Sequence, residues 1–253
     1  MKDEIRPQAP VHTSRTMRSA LVMARHLDHL GTPPTQSGDW ALVADRAVGG
    51  NWRLLGNSTV GDCVEADDGH TQILVSANAG PALVVPTAEQ IVALYSAETG
   101  YDPSNPSSDQ GTDMTSDCQY MVSTGLLGHK ADATGMIDPT NLEHVRWSVQ
   151  LFGFARLGVN WTQKQMDEFN AGKVIAGDPN GRVLGGHDVP VVRYEGSRYW
   201  IVTWGKLCEV DQLFVASAEE AHALIWSDWF GPNGISPSGV GVSQLVADLA
   251  ALA

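Results

Sequence analysis

The run Asn57-Ser58-Thr59-Val60-Gly61-Asp62-Cys63 continues directly into Val64-Glu65-Ala66-Asp67-Asp68. It joins a polar, glycine-bearing loop to a helix-like segment, with a cysteine at the junction. A cysteine at a helix N-terminus faces the positive end of the helix dipole, which favours thiolate over thiol. A nucleophilic cysteine needs that and a base. The candidate base is His187, in Gly185-Gly186-His187-Asp188-Val189-Pro190-Val191-Val192, where it opens an apolar strand. A second apolar strand follows at Tyr199-Trp200-Ile201-Val202-Thr203-Trp204-Gly205. The chemistry requires two side chains more than a hundred positions apart in sequence to meet across a groove.

The remaining pattern divides into a helical first half and a strand-rich second half. Apolar spacing predicts a helix from Arg15 to Leu30, stopped by Gly31 and Pro33-Pro34. Residues 38–56 read as a strand-poor lead-in carrying Trp40 and Trp52. A helix is expected from Cys63 to about Asn78, with His70 as a packed helical histidine: seven positions on, it lies ~10 Å from Cys63 along the axis. Thr87-Ala88-Glu89-Gln90 is a capping-box pattern opening the next helix. Another helix is expected from about Asp113 to Thr124, with Cys118 as a buried small hydrophobe. Asn141 caps a helix from Leu142 to Phe152, and a strand covers Phe154 to Val159. Residues 163–184 read as loop, the strands over 189–194 and 199–203 as a hairpin, and 210–215 as a further strand. Ser217 with Glu220 reads as the cap of a helix reaching Trp226, and Val242–Ala253 as a terminal helix.

These motifs, in this order, resemble the papain-like cysteine peptidases over roughly residues 38 to 230. Gly61-Asp62-Cys63 fits that family's Gly-x-Cys nucleophile loop, and Asn57 stands at its oxyanion-hole glutamine position. His187 to Tyr194 fits its Gly-His-x-Val-x-x-Val-x-Tyr strand, and Thr203 falls at the commonest asparagine spacing, before Trp204-Gly205. Gly111-Thr112-Asp113 leading into Cys118-Gln119-Tyr120-Met121-Val122 and Gly125-Leu126 looks like the family's second helix and its turn. Val202 to Lys206, Glu219-Glu220-Ala221 and Ser227-Asp228-Trp229 look most like uncharacterised members encoded by phages and prophages.

The resemblance implies an α+β fold, a helical half (37–130) carrying the cysteine helix packed on an antiparallel β half (131–230) carrying the histidine. Residues 1–36 would form an extension with one helix, and 231–253 a linker and terminal helix. It implies Cys63 as nucleophile, His187 as base, Thr203 as its orienter and Asn57 as oxyanion donor. Gly61, Asp62, Gly186 and Trp204 would form the substrate-binding wall. A peptide or protein would be the substrate. The alternative is a weak or inactive papain-like protein serving in a phage virion or its assembly, with phage structural proteins as partners. Transglutaminases and bacteriocin-leader peptidases share a Cys-His arrangement, but they usually orient the histidine with an aspartate, where this chain has Thr203.

Composition narrows the partners. A net charge of −13 argues against nucleic acid and against an anionic membrane surface. Cys63, Cys118 and Cys208 are odd in number and form no Cys-x-x-Cys pair, which suits a reducing compartment. The N-terminus lacks a secretory pattern, so the host-cell cytoplasm or a virion is the expected location. No cofactor or metal is expected. His26 and His29 lack a third ligand nearby in sequence, and Asp102, Asn105 and Asp109 do not match an EF-hand loop.

Overall fold

The computed structural model describes Met23 and residues 25–245. Most of the two terminal helices expected from the sequence lies outside the described residues. In chain order the elements begin with helices α1 (Trp40–Ala47), α2 (Cys63–Asn78), α3 (Ala88–Thr99) and α4 (Met114–Ser123). Strand β1 (Ala131–Ile137), helix α5 (Leu142–Phe152), strand β2 (Ala155–Thr162) and helix α6 (Gln163–Asn170) follow. The chain continues through β3 (Val183–Glu195), β4 (Arg198–Thr203), β5 (Lys206–Asp211), α7 (Gln212–Ala216) and β6 (Glu220–Trp226). The class is α+β: the strands form one antiparallel sheet in the order β1-β6-β2-β3-β4-β5.

Local chemistry starts the helices where the sequence predicts. Thr87 and Gln90 form the reciprocal capping box of α3, Asp113 accepts from the Ser116 N–H to cap α4, and Asn141 accepts from Glu143 to cap α5. The sheet is covered on both faces, and successive residues of a strand turn into opposite cores. Val191 and Ile201 turn into one core with Val145, Val149, Leu157 and Phe214. Val192 and Val202 turn into another with Ile73, Leu74, Trp52 and Trp226. Helix α2 is buried continuously from Cys63 to Ser76, including its acidic residues. It lies between helices α1 and α3 and the sheet. Among the described residues no helix is long and apolar enough to cross a membrane.

Several expected elements are corrected. The helix expected from Ser217 to Trp226 is strand β6, paired with β1 on one side and β2 on the other. Ala221 through Trp226 are all buried, so this strand shows no alternation and cannot be told from a buried helix by period. The strand expected over 210–215 ends at Asp211, whose carboxylate accepts from Phe214 N–H and turns the chain into α7. The stretch read as loop after Thr162 holds α6, started by a Thr162–Gln165 capping box. The lead-in contains α1, and β3 begins at Val183, so His187 lies inside the strand rather than at its opening.

Candidate active site

Cys63 is the first residue of α2, only 8% exposed, and packs with Val64 and Met114. The backbone N–H of Asp188 donates to its sulfur. Burial first, then the carboxylates of Asp188, Glu65 and Asp62, push the thiol well above its ordinary value, against that N–H and the helix dipole. The resting group is a thiol held beside the His187–Asp188 peptide.

Antiparallel pairing with β2, which sets His187 opposite Val159, fixes the histidine's place. Its Nε2 lies 2.7 Å from Thr203 Oγ1 on β4. The Trp204 ring stacks on the imidazole at 4.3 Å, nearly parallel, and Trp161 meets it edge-on at 5.4 Å. Trp204 holds a left-handed backbone, φ +42°, which a bulky residue adopts only when its surroundings impose it. Here they do: Trp161 and Phe169 pack its ring, and Gly205 O accepts from Trp52 N–H at 3.1 Å. That last bond ties the strand of the histidine's partner to the segment leading into the nucleophile loop. Burial lowers His187 to about 3, so the imidazole rests neutral.

The loop itself is built by backbone freedom and one buried acid. Arg53, Leu55 and Gly56 are all left-handed. A Cβ on Gly56 would lie 2.2 Å from Asp62 Oδ2, so only glycine fits. Gly61 N–H donates to Asp109 Oδ1 at 3.0 Å, and Tyr95 OH donates to the same oxygen at 2.9 Å. Asp109, which the sequence sets beside a calcium-like pattern, is a strut for this loop. Asn57 is half-buried in the turn, its N–H donating to Leu54 O at 3.1 Å. Asp62, expected on the substrate wall, is instead entirely buried against Gly56, where desolvation raises its carboxyl to about 8.

No protein-family model matches this sequence, and no curated protein matches it. Solved structures do match in fold. A Carica candamarcensis cysteine protease superposes with a TM-score of 0.50 at 14% identity, over 76% of this chain and 98% of that one. The cysteine protease and lectin-like domains of a surface layer associated protein of Clostridium difficile superpose with a TM-score of 0.52 at 9% identity. That match covers 77% of this chain and 52% of the other. The fold is that of the papain-like cysteine proteases.

Within this papain-like frame lies a group that the sequence motifs do not reveal. Arg156, at the start of β2, is completely buried and spans the site. Its Nε donates to Asp67 at 2.9 Å and one terminal nitrogen to Asp68 and Asp117 at 3.1 and 2.5 Å. The other donates to Val64 O at 3.0 Å and to Asp188 Oδ2 at 2.7 Å. One guanidinium thus holds the residue after the cysteine and the residue after the histidine together. Four carboxyl groups meet one cation in a fully buried position. Burial raises Asp67 and Asp68 well above the carboxylate range and Asp188 to about 6. A signal does exist in the sequence: an arginine inside an apolar strand must find acids, and Asp67-Asp68 follow the cysteine on a helix.

A cleft of about 210 Å³ opens beside the site. His187 and Gly186 line it with Met114 and Gly158, and Met114 also belongs to the apolar cluster of Cys63 and Val64.

Proposed function

We propose that this protein is a cysteine peptidase or amidase acting by acyl transfer through Cys63 and His187. The observation that carries the reading is one of placement. The sulfur, at a helix N-terminus, takes the N–H of the residue after His187, while Thr203 occupies the imidazole's far nitrogen. With Nε2–H donating to Thr203, Nδ1 keeps its lone pair and serves as base. It takes the Cys63 proton as sulfur bonds to the substrate carbonyl carbon. The imidazolium then protonates the amine, the C–N bond breaks, and a thioester remains. Water, deprotonated by the same imidazole, adds to the thioester and releases the acid and the thiol. Asn57 and the Cys63 backbone N–H are the proposed oxyanion donors, worth roughly 3 kcal/mol each. The neutral resting pair means that the nucleophile forms during attack rather than waiting as thiolate.

Gly61, Gly186 and Trp204 complete the proposed substrate wall. Hydrolysis of a quenched-fluorescent peptide library is the test. Turnover by the wild type, lost in both Cys63→Ala and His187→Ala, supports the proposal, and equal turnover in all three overturns it. A second reading, a papain-like component of an assembly such as a virion, without turnover, rests on the near-complete burial of Cys63 and its raised thiol. It requires that the wild type cleave nothing.

A further inference from the structure

Helix α2 carries a second buried group, one that the proposed reaction does not use. His70 follows Cys63 by about two turns and is 3% exposed. Its Nε2 lies 3.0 Å from Arg53 O. A carbonyl oxygen only accepts, so Nε2 carries the proton and donates. Burial lowers the ring to about 4, so His70 is neutral near neutral pH.

The carbonyl that it holds belongs to a strained crossing. Arg53 and Leu55 are left-handed, φ +69° and +58°, although neither is glycine. Arg53 pairs with Gly205 as an isolated antiparallel bridge, beside the bond from Trp52 N–H to Gly205 O. A Cβ on Gly205 would lie 3.0 Å from Arg53 O, so the two backbones are in close contact. The Trp52 ring stands edge-on to His70 at 6.5 Å, and its Nε1 donates to Asp45 Oδ1 at 2.8 Å. Past Arg53 the chain forms the loop of Asn57 and Cys63. On the other side of the crossing, Gly205 follows Thr203, bonded to His187, and Trp204, stacked on it. One N–H on the nucleophile's own helix therefore pins the point where the nucleophile loop meets the segment that holds the base.

We propose that His70 is a positioning residue for the reaction: its bond to the Arg53 carbonyl keeps Trp204 over the His187 ring and the Asn57 loop in place beside Cys63. The role rests on the peptidase reading, because alignment for that chemistry is what the bond serves. A charge on His70 also disfavours a charge on His187, so the test separates the bond from the charge. His70→Gln keeps a donor at the place of Nε2 without a titrating group, and His70→Met removes both.

With a fluorogenic peptide, His70→Met is expected to lower kcat about tenfold, the rate equivalent of one buried hydrogen bond, with KM changed less than about twofold. His70→Gln is expected to recover most of that loss. Gly205→Ala, whose methyl presses on Arg53 from the other strand, is expected to lower kcat in the same way, and it carries the test if His70→Met does not fold. Unchanged kcat in either variant once folded, or an equal loss in His70→Met and His70→Gln, overturns the proposal. Imidazole titration by NMR in a Cys63→Ala background needs no turnover, and so separates this outcome from failure of the peptidase reading. His187, lowered to about 3 by burial, is expected to stay neutral from about pH 5 to pH 7 in Cys63→Ala and with His70→Gln added. With His70→Met or Gly205→Ala added, the unstacked and hydrated ring is expected to titrate within that range. That shift supports the role even if no peptide is cleaved, and a His187 ring that stays neutral in both folded variants overturns it.

Discussion

Thr203 holds His187 where the resemblance would place an asparagine. Its hydroxyl reaches Nε2 at 2.7 Å, so the shorter side chain still makes the bond. A buried hydrogen bond of ~1–1.5 kcal/mol corresponds to about tenfold in rate if it is needed only for alignment. Thr203→Val is therefore expected to lower kcat about tenfold with KM nearly unchanged, and Thr203→Asn to restore part of the loss; steady-state kinetics reads both. The place of Cys63 at a helix start and the meeting of His187 with Thr203 are legible in the sequence because their spacing and neighbours are specific. Asp62 is not, because a charged residue beside a nucleophile reads as exposed, whereas its burial is decided by the left-handed turn at Gly56. The role of Asp109 is hidden because its partners, Gly61 and Tyr95, are distant in sequence.

At the scale of elements, Arg156 decides how α2 and β3 meet. Removing one partner from a buried ion cluster typically costs ~3–5 kcal/mol, because the remaining charges are left uncompensated. Arg156→Met is expected to lose stability on that scale in urea unfolding. Arg156→Lys is expected to recover little, since a single ammonium cannot reach Asp67, Asp117, Asp188 and the Val64 carbonyl together. The helices of the first half are readable from caps and apolar period. The strands are less so. β6 is buried on both faces, and what makes it a strand is the pairing with β1 and β2, which no local pattern encodes. The switch at Asp211 is missed for the opposite reason, a local cap overriding an apolar run.

The whole molecule carries an unusual load of buried acids, and its stability should show it. Burial raises Asp62 to about 8 and Glu98 to about 10, so the folded state keeps protons that the unfolded state has released. Such groups stabilise at low pH and lose that contribution as pH rises through the folded value. Burial lowers His222, but its neighbours Cys118 and Glu220 outweigh that and raise it to about 10, so it behaves the same way. His70 and His187, lowered to about 4 and about 3, act in the opposite sense, but only below the ordinary histidine value near 6.5. Above that point these contributions share one sign. The Tm is expected to fall steadily from pH 7 to pH 9, and calorimetry showing a rise over that range would refute the assignment of these groups as buried and protonated.

The proposed reaction joins one pair of side chains, the sulfur at the head of α2 and the imidazole on β3. Intact-mass kinetics of labelling by a peptidyl vinyl sulfone tests it most directly, because the other two cysteines are internal controls. Cys63 is expected to be modified first, ahead of the buried Cys118 and the half-buried Cys208, and to slow at least about a hundredfold in His187→Ala, the lower range for a positioned base. Labelling of Cys63 no faster than Cys208, or a rate unchanged by His187→Ala, would contradict it.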